Sequence, residues 1–150
     1  MNHEEQIIQR EIVKRFQEAG IFFHSIPNEA AGRDRIRQAI MVALGLRKGV
    51  ADGIAWLPLS NGVVKVTYIE VKTPKGKQSP QQKAFEYICK FYGVPFMIVR
   101  SVEEIDDLIG RIKASKTLYK DFHQIWLEGL KNAEKQGKSE ITPLLKEKLK

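Results

Sequence analysis

The chain has 150 residues, 43% hydrophobic and 29% charged, proportions that suit one globular domain able to bury a core without cross-links. Its single cysteine, Cys89, excludes an intrachain disulfide and a multi-cysteine zinc site, and no apolar run approaches the roughly 18 residues of a membrane span. The formal net charge is +7, and positions 27–83 hold ten Lys or Arg against four acids, hence +6 of that total; so local an excess points to a polyanionic partner.

The N-terminal MNHEEQIIQR carries two acids and no apolar stretch, which argues against a secretory signal. The spacing of Ile8, Ile12, Phe16 and Ala19 predicts an amphipathic helix over Glu4 to Ala19, stopped by Gly20. Ile21 to Ile26 is β-prone, and the polar stretch from Pro27 to Arg35 reads as a loop. Ile36 to Leu44 predicts a short helix ended by Gly45. Gly53 to Leu59 and Val63 to Lys72 predict two strands around the hairpin signal Ser60-Asn61-Gly62. After the basic loop TPKGKQ, Pro80 to Tyr92 reads as a helix with Ser79 as N-cap, Pro80 in its first turn and Gly93 beyond its end. Pro95 to Val99 predicts a buried strand. Ser101 opens another helix, with Glu104 placed to complete a capping box. From about Lys116 a charged helix presents Leu118, Phe122, Trp126 and Leu130 on one face, and 139–150 either adds a last short helix or frays. The order of elements is that of an α/β fold with a mixed sheet.

The chemistry concentrates in one place. Glu70 and Lys72 stand two apart on a strand and share a face with Val64, Val66 and Tyr68, a face that adjoining helices would bury. Charges there are costly unless they pair or bind something. A chain with this many acids and lysines holds roughly two acid-x-Lys triplets by chance, so this one alone is weak. Asp52, one hairpin earlier, can be brought beside Glu70, and two carboxylates at a sheet end make an oxygen site suited to Mg²⁺ or Mn²⁺; Asp is also an ordinary strand-start residue. Glu5 lies in register with the stripe of the first helix, better aligned than Glu4, although acids are favoured there by the helix dipole alone. Gln82 either closes a capping box with Ser79 or turns its amide to the site. His3, His24 and His123 have no zinc spacing, Cys89 reads as a buried helix residue, and Trp56 and Trp126 read as core.

Together Glu5, Gly49-Val50-Ala51-Asp52, Ile69-Glu70-Val71-Lys72, Thr73-Pro74-Lys75-Gly76-Lys77 and Ser79-Pro80-Gln81-Gln82-Lys83 resemble the VRR-NUC (virus-type replication-repair nuclease) family of the PD-(D/E)xK nuclease superfamily. The resemblance covers about residues 4 to 108, with Val99 to Glu104 fitting the family's ending. Ala51 departs from it, since Pro or Ser usually precedes the Asp; that position shapes backbone and supplies no ligand. The resemblance implies a restriction-endonuclease-like αβββαβ core, a mixed central sheet flanked by helices, within a nuclease domain at 1–112. A C-terminal helical extension at 113–150 is expected to pack on the same domain or at a dimer interface. It implies metal ligation of Mg²⁺ or Mn²⁺ by Asp52, Glu70, the Val71 carbonyl and, directly or through water, Glu5. Lys72 would position the attacking water, and Gln82 would be an accessory polar residue. DNA phosphates would be met by Lys75, Lys77, Lys83, Arg33, Arg35, Arg37 and Lys48.

The expected function is a metal-dependent DNA endonuclease, structure-selective on branched DNA such as Holliday junctions and acting as a homodimer in the cytoplasm of a bacterial cell or a phage-infected host. Its alternatives are a non-catalytic nucleic-acid binding module and a site-specific restriction-type endonuclease, for whose recognition region 150 residues leave little room.

Overall fold

The computed structural model describes residues 2–27, 35–115 and 120–135. Arg33, Leu118 and the expected last helix at 139–150 lie outside them. The elements are α1 (His3–Glu18), β1 (Phe23–Ser25), α2 (Arg35–Ala43), β2 (Gly53–Pro58), β3 (Val64–Val71), α3 (Pro80–Tyr92), β4 (Phe96–Val99), α4 (Val102–Ala114) and α5 (Phe122–Lys135). The strands form one sheet in the order β1-β2-β3-β4. Pairing is antiparallel between β1 and β2 and between β2 and β3, and parallel between β3 and β4. The fold is therefore α/β, a mixed four-stranded sheet flanked by helices. Among the described residues no helix is long and apolar enough to cross a membrane.

One face of the sheet makes the core. Ala55, Leu57, Ile69 and Val71 are buried against Ile12 and Phe16 of α1 and Ile105, Ile109 and Ile112 of α4. Each fully buried aliphatic or aromatic side chain contributes about 1.5–3 kcal/mol, so the α1 stripe is what fixes that helix, and with it Glu5, to the sheet. The Arg15 to Asp106 bond between α1 and α4, 3.0 Å and exposed, adds little by comparison.

The opposite face departs from expectation. Tyr68 packs edge-on against Phe85 of α3, with ring centroids 5.0 Å apart, but α3 covers only that end. Val64 and Val66 remain 43% and 44% exposed, because no described helix continues over the hairpin half of the strand. Trp56 and Trp126 are likewise not core. They stand 46% and 42% exposed and line an open apolar groove of about 380 Å³ with Phe22, Phe122 and Ile125. The start of α5 rests on this sheet: Phe122 N–H donates to the Gly20 carbonyl at 3.1 Å, and its ring meets Phe22 at 5.3 Å. In β4 only Val99 is fully buried, the other residues being half-buried. Ser101 does occupy the N-cap of α4, yet its side chain makes no capping bond, so the capping box expected with Glu104 does not form. The one after Ser79 forms in full, and α3 ends at Gly93 in the left-handed conformation.

Candidate active site

The β2–β3 register pairs Gly53 with Ile69, and continuing it by one residue sets Asp52 across from Glu70. There the ladder changes character, because Val71 N–H donates to the Asp52 carboxylate Oδ2 at 2.7 Å. The stretch before Asp52 is shaped by Gly49, whose φ of +84° is a left-handed backbone that side-chain-bearing residues rarely adopt. A Cβ at Gly49 would lie 2.6 Å from the Gln81 backbone carbon. The approach to Asp52 therefore runs directly against the first turn of α3.

Lys72 Nζ lies 2.9 Å from Glu70 Oε1 and 3.6 Å from Glu5 Oε1. Glu5 reaches it from the first turn of α1, where it also closes a capping box: Asn2 Oδ1 accepts from Glu5 N–H at 2.8 Å, and Glu5 Oε2 accepts from Asn2 N–H at 3.2 Å. Its neighbour Glu4 is exposed. Gln82 does the corresponding thing from α3. Its Oε1 accepts from Ser79 N–H at 2.8 Å, and its Nε2 donates to Glu70 Oε1. The two readings of Gln82 thus hold at once, because a carboxamide has an acceptor for the cap and a donor for the site. Two capping boxes, on two different helices, each lend their fourth residue to the same ion pair.

These groups are buried. Glu70 is fully shielded, and Asp52, Lys72 and Glu5 are each at most 9% exposed. Burial pushes the Glu70 carboxyl up from 4.5 to about 7, the nearby Asp52 charge adds to the rise, and Lys72 only partly offsets it. Burial also raises Asp52, against the Val71 N–H and Lys72, which favour its ionised form. For Lys72 burial acts to lower the pKa, but the bond to Glu70 and the charges of Glu70, Glu5 and Asp52 outweigh it and leave it raised. Three carboxyl groups face one ammonium, and Glu70 Oε2 is buried without a hydrogen-bond partner.

That unsatisfied oxygen and the surplus of acid are what a divalent cation would answer. The donor set is limited, however. Among the described residues no three Asp, Glu, His or Cys side chains form a group that could hold a metal, and both Glu5 oxygens already have protein partners. The residues fit an ion of the Mg²⁺ kind, which is commonly bound by one or two carboxylates and keeps several waters. Asp52 and Glu70 are the carboxylates that would serve such an ion.

Glu5, Asp52, Lys72 and Gln82 border a cleft of about 350 Å³, lined also by Gln9, Gly49, Val50 and Ser79. Gln9 was not singled out from sequence; its signal was its place one helical turn after Glu5. Of the basic residues, Lys48 precedes Gly49, Lys75 and Lys77 follow Lys72 on the next turn, and Lys83 follows Gln82, all exposed. Arg35 and Arg37 are exposed on α2.

The VRR-NUC domain family model matches residues 3–103, a span that takes in Glu5, Asp52, Glu70, Lys72 and Gln82. A solved structure described as a VRR_NUC domain superposes with a TM-score of 0.51 at 21% identity, covering 73% of this chain and 97% of that one; at such identity the likeness speaks for the fold. No curated protein matches. With two thirds of its length matched to the family and its fold shared with a solved member, the chain belongs to the VRR-NUC domain family of nucleases.

Proposed function

We propose that the protein is a metal-dependent DNA endonuclease that hydrolyses phosphodiester bonds, prefers branched DNA such as a four-way junction, and works as a homodimer. The observation that carries this reading is the buried Asp52–Glu70–Lys72 constellation, short of positive charge, beside a cleft; exposed Lys48, Lys75, Lys77 and Lys83 neighbour its residues in sequence. Asp52, Glu70 and the Val71 carbonyl would hold Mg²⁺ or Mn²⁺, which would neutralise phosphate charge and lower the pKa of water. Glu5 holds Lys72 and would support the ion directly or through water. Lys72, fixed from both sides, orients the attacking water and stabilises the charge that grows on the phosphate. The lysines bind flanking phosphates without reading sequence. Two opposed strands cut at a junction need two such sites, and a symmetric pair of chains supplies them.

A second reading is favoured by one observation: at 2.9 Å the Glu70–Lys72 pair is a satisfactory ion pair by itself. A non-catalytic nucleic-acid module would keep it as structure. The two readings part on a single assay. Linear duplex, single-stranded, flap and four-way-junction DNA are incubated with the protein in Mg²⁺, Mn²⁺ or EDTA, beside Asp52→Asn and Lys72→Ala. The nuclease cuts only with metal, and both variants lose at least about a hundredfold in rate while still binding. Binding without cutting under every condition would establish the module instead.

A further inference from the structure

Arg100 has no part in the constellation above, yet it stands one residue past the point where β4 meets Lys72. Lys72 N–H donates to the Val99 carbonyl at 2.9 Å, extending the parallel ladder to its last rung. One residue further along both chains a side chain takes over from the backbone. Arg100 Nη1 donates to the Thr73 carbonyl at 2.9 Å and to the Gly76 carbonyl at 2.7 Å. These two carbonyls bracket the turn Thr73-Pro74-Lys75-Gly76, itself closed by Gly76 N–H on the Thr73 carbonyl at 3.0 Å. The turn is tight: a Cβ at Gly76 would come within 2.9 Å of Thr73 Oγ1 and 3.2 Å of the Thr73 nitrogen.

Arg100 is half-buried, and among the described residues no carboxylate pairs with it. A guanidinium is an expensive way to satisfy two neutral carbonyls unless what it holds is used. The turn it holds carries Lys75 and, one residue on, Lys77, both exposed. A lysine on a loose loop spends much of its attraction for a phosphate on ordering the loop; on a fixed turn it does not.

We propose that Arg100 is a positioning residue: it locks the Thr73–Gly76 turn to the end of β4 so that Lys75 and Lys77 meet nucleic-acid phosphates from a fixed frame beside Lys72. The proposal rests on the nucleic-acid reading of the site for its second half only.

Two measurements separate the halves. Limited trypsin digestion tests the lock without any DNA. Arg100→Gln is expected to be cut about tenfold faster after Lys75 and Lys77, at unchanged rate after Lys14 and Lys113, because local opening governs the rate. Equal rates at all four sites would overturn the lock, and a uniform acceleration would make Arg100 a general stability residue. DNA affinity is then followed against salt in EDTA for wild type, Arg100→Gln, Lys75→Ala/Lys77→Ala and the triple variant. Presentation by Arg100 predicts that Arg100→Gln flattens the salt slope by about two phosphate contacts, as the double variant does, and that the triple variant loses no more. A further loss in the triple variant would mean that Arg100 contacts phosphate itself and would overturn the positioning role. Wild type that fails to bind DNA would overturn the nucleic-acid reading and the presentation half with it, while the digestion still decides the lock.

Discussion

Gln82 gives its oxygen to the Ser79 backbone and its nitrogen to Glu70, which separates two effects that usually travel together. Ser79→Ala weakens the cap, costing about 1 kcal/mol, but leaves the Ser79 N–H that orients the amide, so activity should stay close to wild type. Gln82→Glu keeps the cap, since Glu serves there as well as Gln, but turns an acceptor toward Glu70. The helix cap should survive, while the carboxylate set against Glu70 lowers the melting temperature and cleavage falls about tenfold or more. Full activity in Gln82→Glu would reduce the residue to a cap. Glu70 itself yields a pH prediction. The unfolded chain holds this proton up to about 4.5 and the folded chain up to about 7. Between those values the folded state binds more protons at Glu70, so the contribution of Glu70 to metal-free stability is fully present below about 4.5 and is lost as pH rises through 7, by up to about 3 kcal/mol. Asp52 acts in the same direction, and raised Lys72 matters only in the alkaline range. Urea unfolding in EDTA from pH 5 to 8 should show the decline, and Glu70→Gln should flatten much of it; a wild-type curve already flat would mean Glu70 is ionised throughout.

At the scale of elements the site depends on one loop lying against one helix end. Gly49 combines a left-handed backbone with a Cβ position 2.6 Å from Gln81. Gly49→Ala should therefore cost about 2 kcal/mol or more and, by pushing Asp52 away from α3, lower cleavage further than a matched loss of stability elsewhere. A core comparator such as Ile109→Val serves as the match; equal activity in the two variants would show the loop is not aligning Asp52. How much of this was legible in the sequence varies by element. α3 was readable to its last residue because Ser79, Pro80 and Gly93 are local signals that act on their own backbone. The hairpin and the convergence of Asp52 on Glu70 followed from register. What failed was coverage. Val66 and Trp56 look like core by composition and are half exposed, since which helix lies over which half of a sheet depends on distant packing that no local pattern encodes. Arg100 was missed for the same reason: its acceptors, Thr73 and Gly76, lie 27 and 24 residues away, and nothing in its own neighbourhood marks it. The capping box of α4 failed although its residues are right, because Ser101 makes no side-chain capping bond.

For the whole molecule the open question is what covers the outer side of α3. Tyr87 and Phe91 stand one helical turn apart and are 68% and 72% exposed, with Tyr92 beside them. Monomers seldom leave neighbouring large aromatic side chains so exposed to water. A second copy is the occupant that fits the proposed substrate. Gln82, at the site, and Phe91 are nine residues apart on one helix, about 14 Å along its axis. A two-fold axis near Phe91 with the helices antiparallel would set the two active sites about 27 Å apart along that direction, a span of the same order as the width of a DNA duplex. The protein should then elute and scatter with twice its 17.2 kDa monomer mass. Tyr87→Glu/Phe91→Glu, which changes only exposed side chains and so should spare the fold, should return it to monomer mass. On a four-way junction the dimer should cut both opposed strands in one binding event, whereas the monomeric variant should release singly nicked junctions first and still cut a flap, which needs one site. A wild type of monomer mass that nonetheless makes paired cuts would show that two separate molecules meet on the DNA, and the apolar side of α3 would then belong to some other partner.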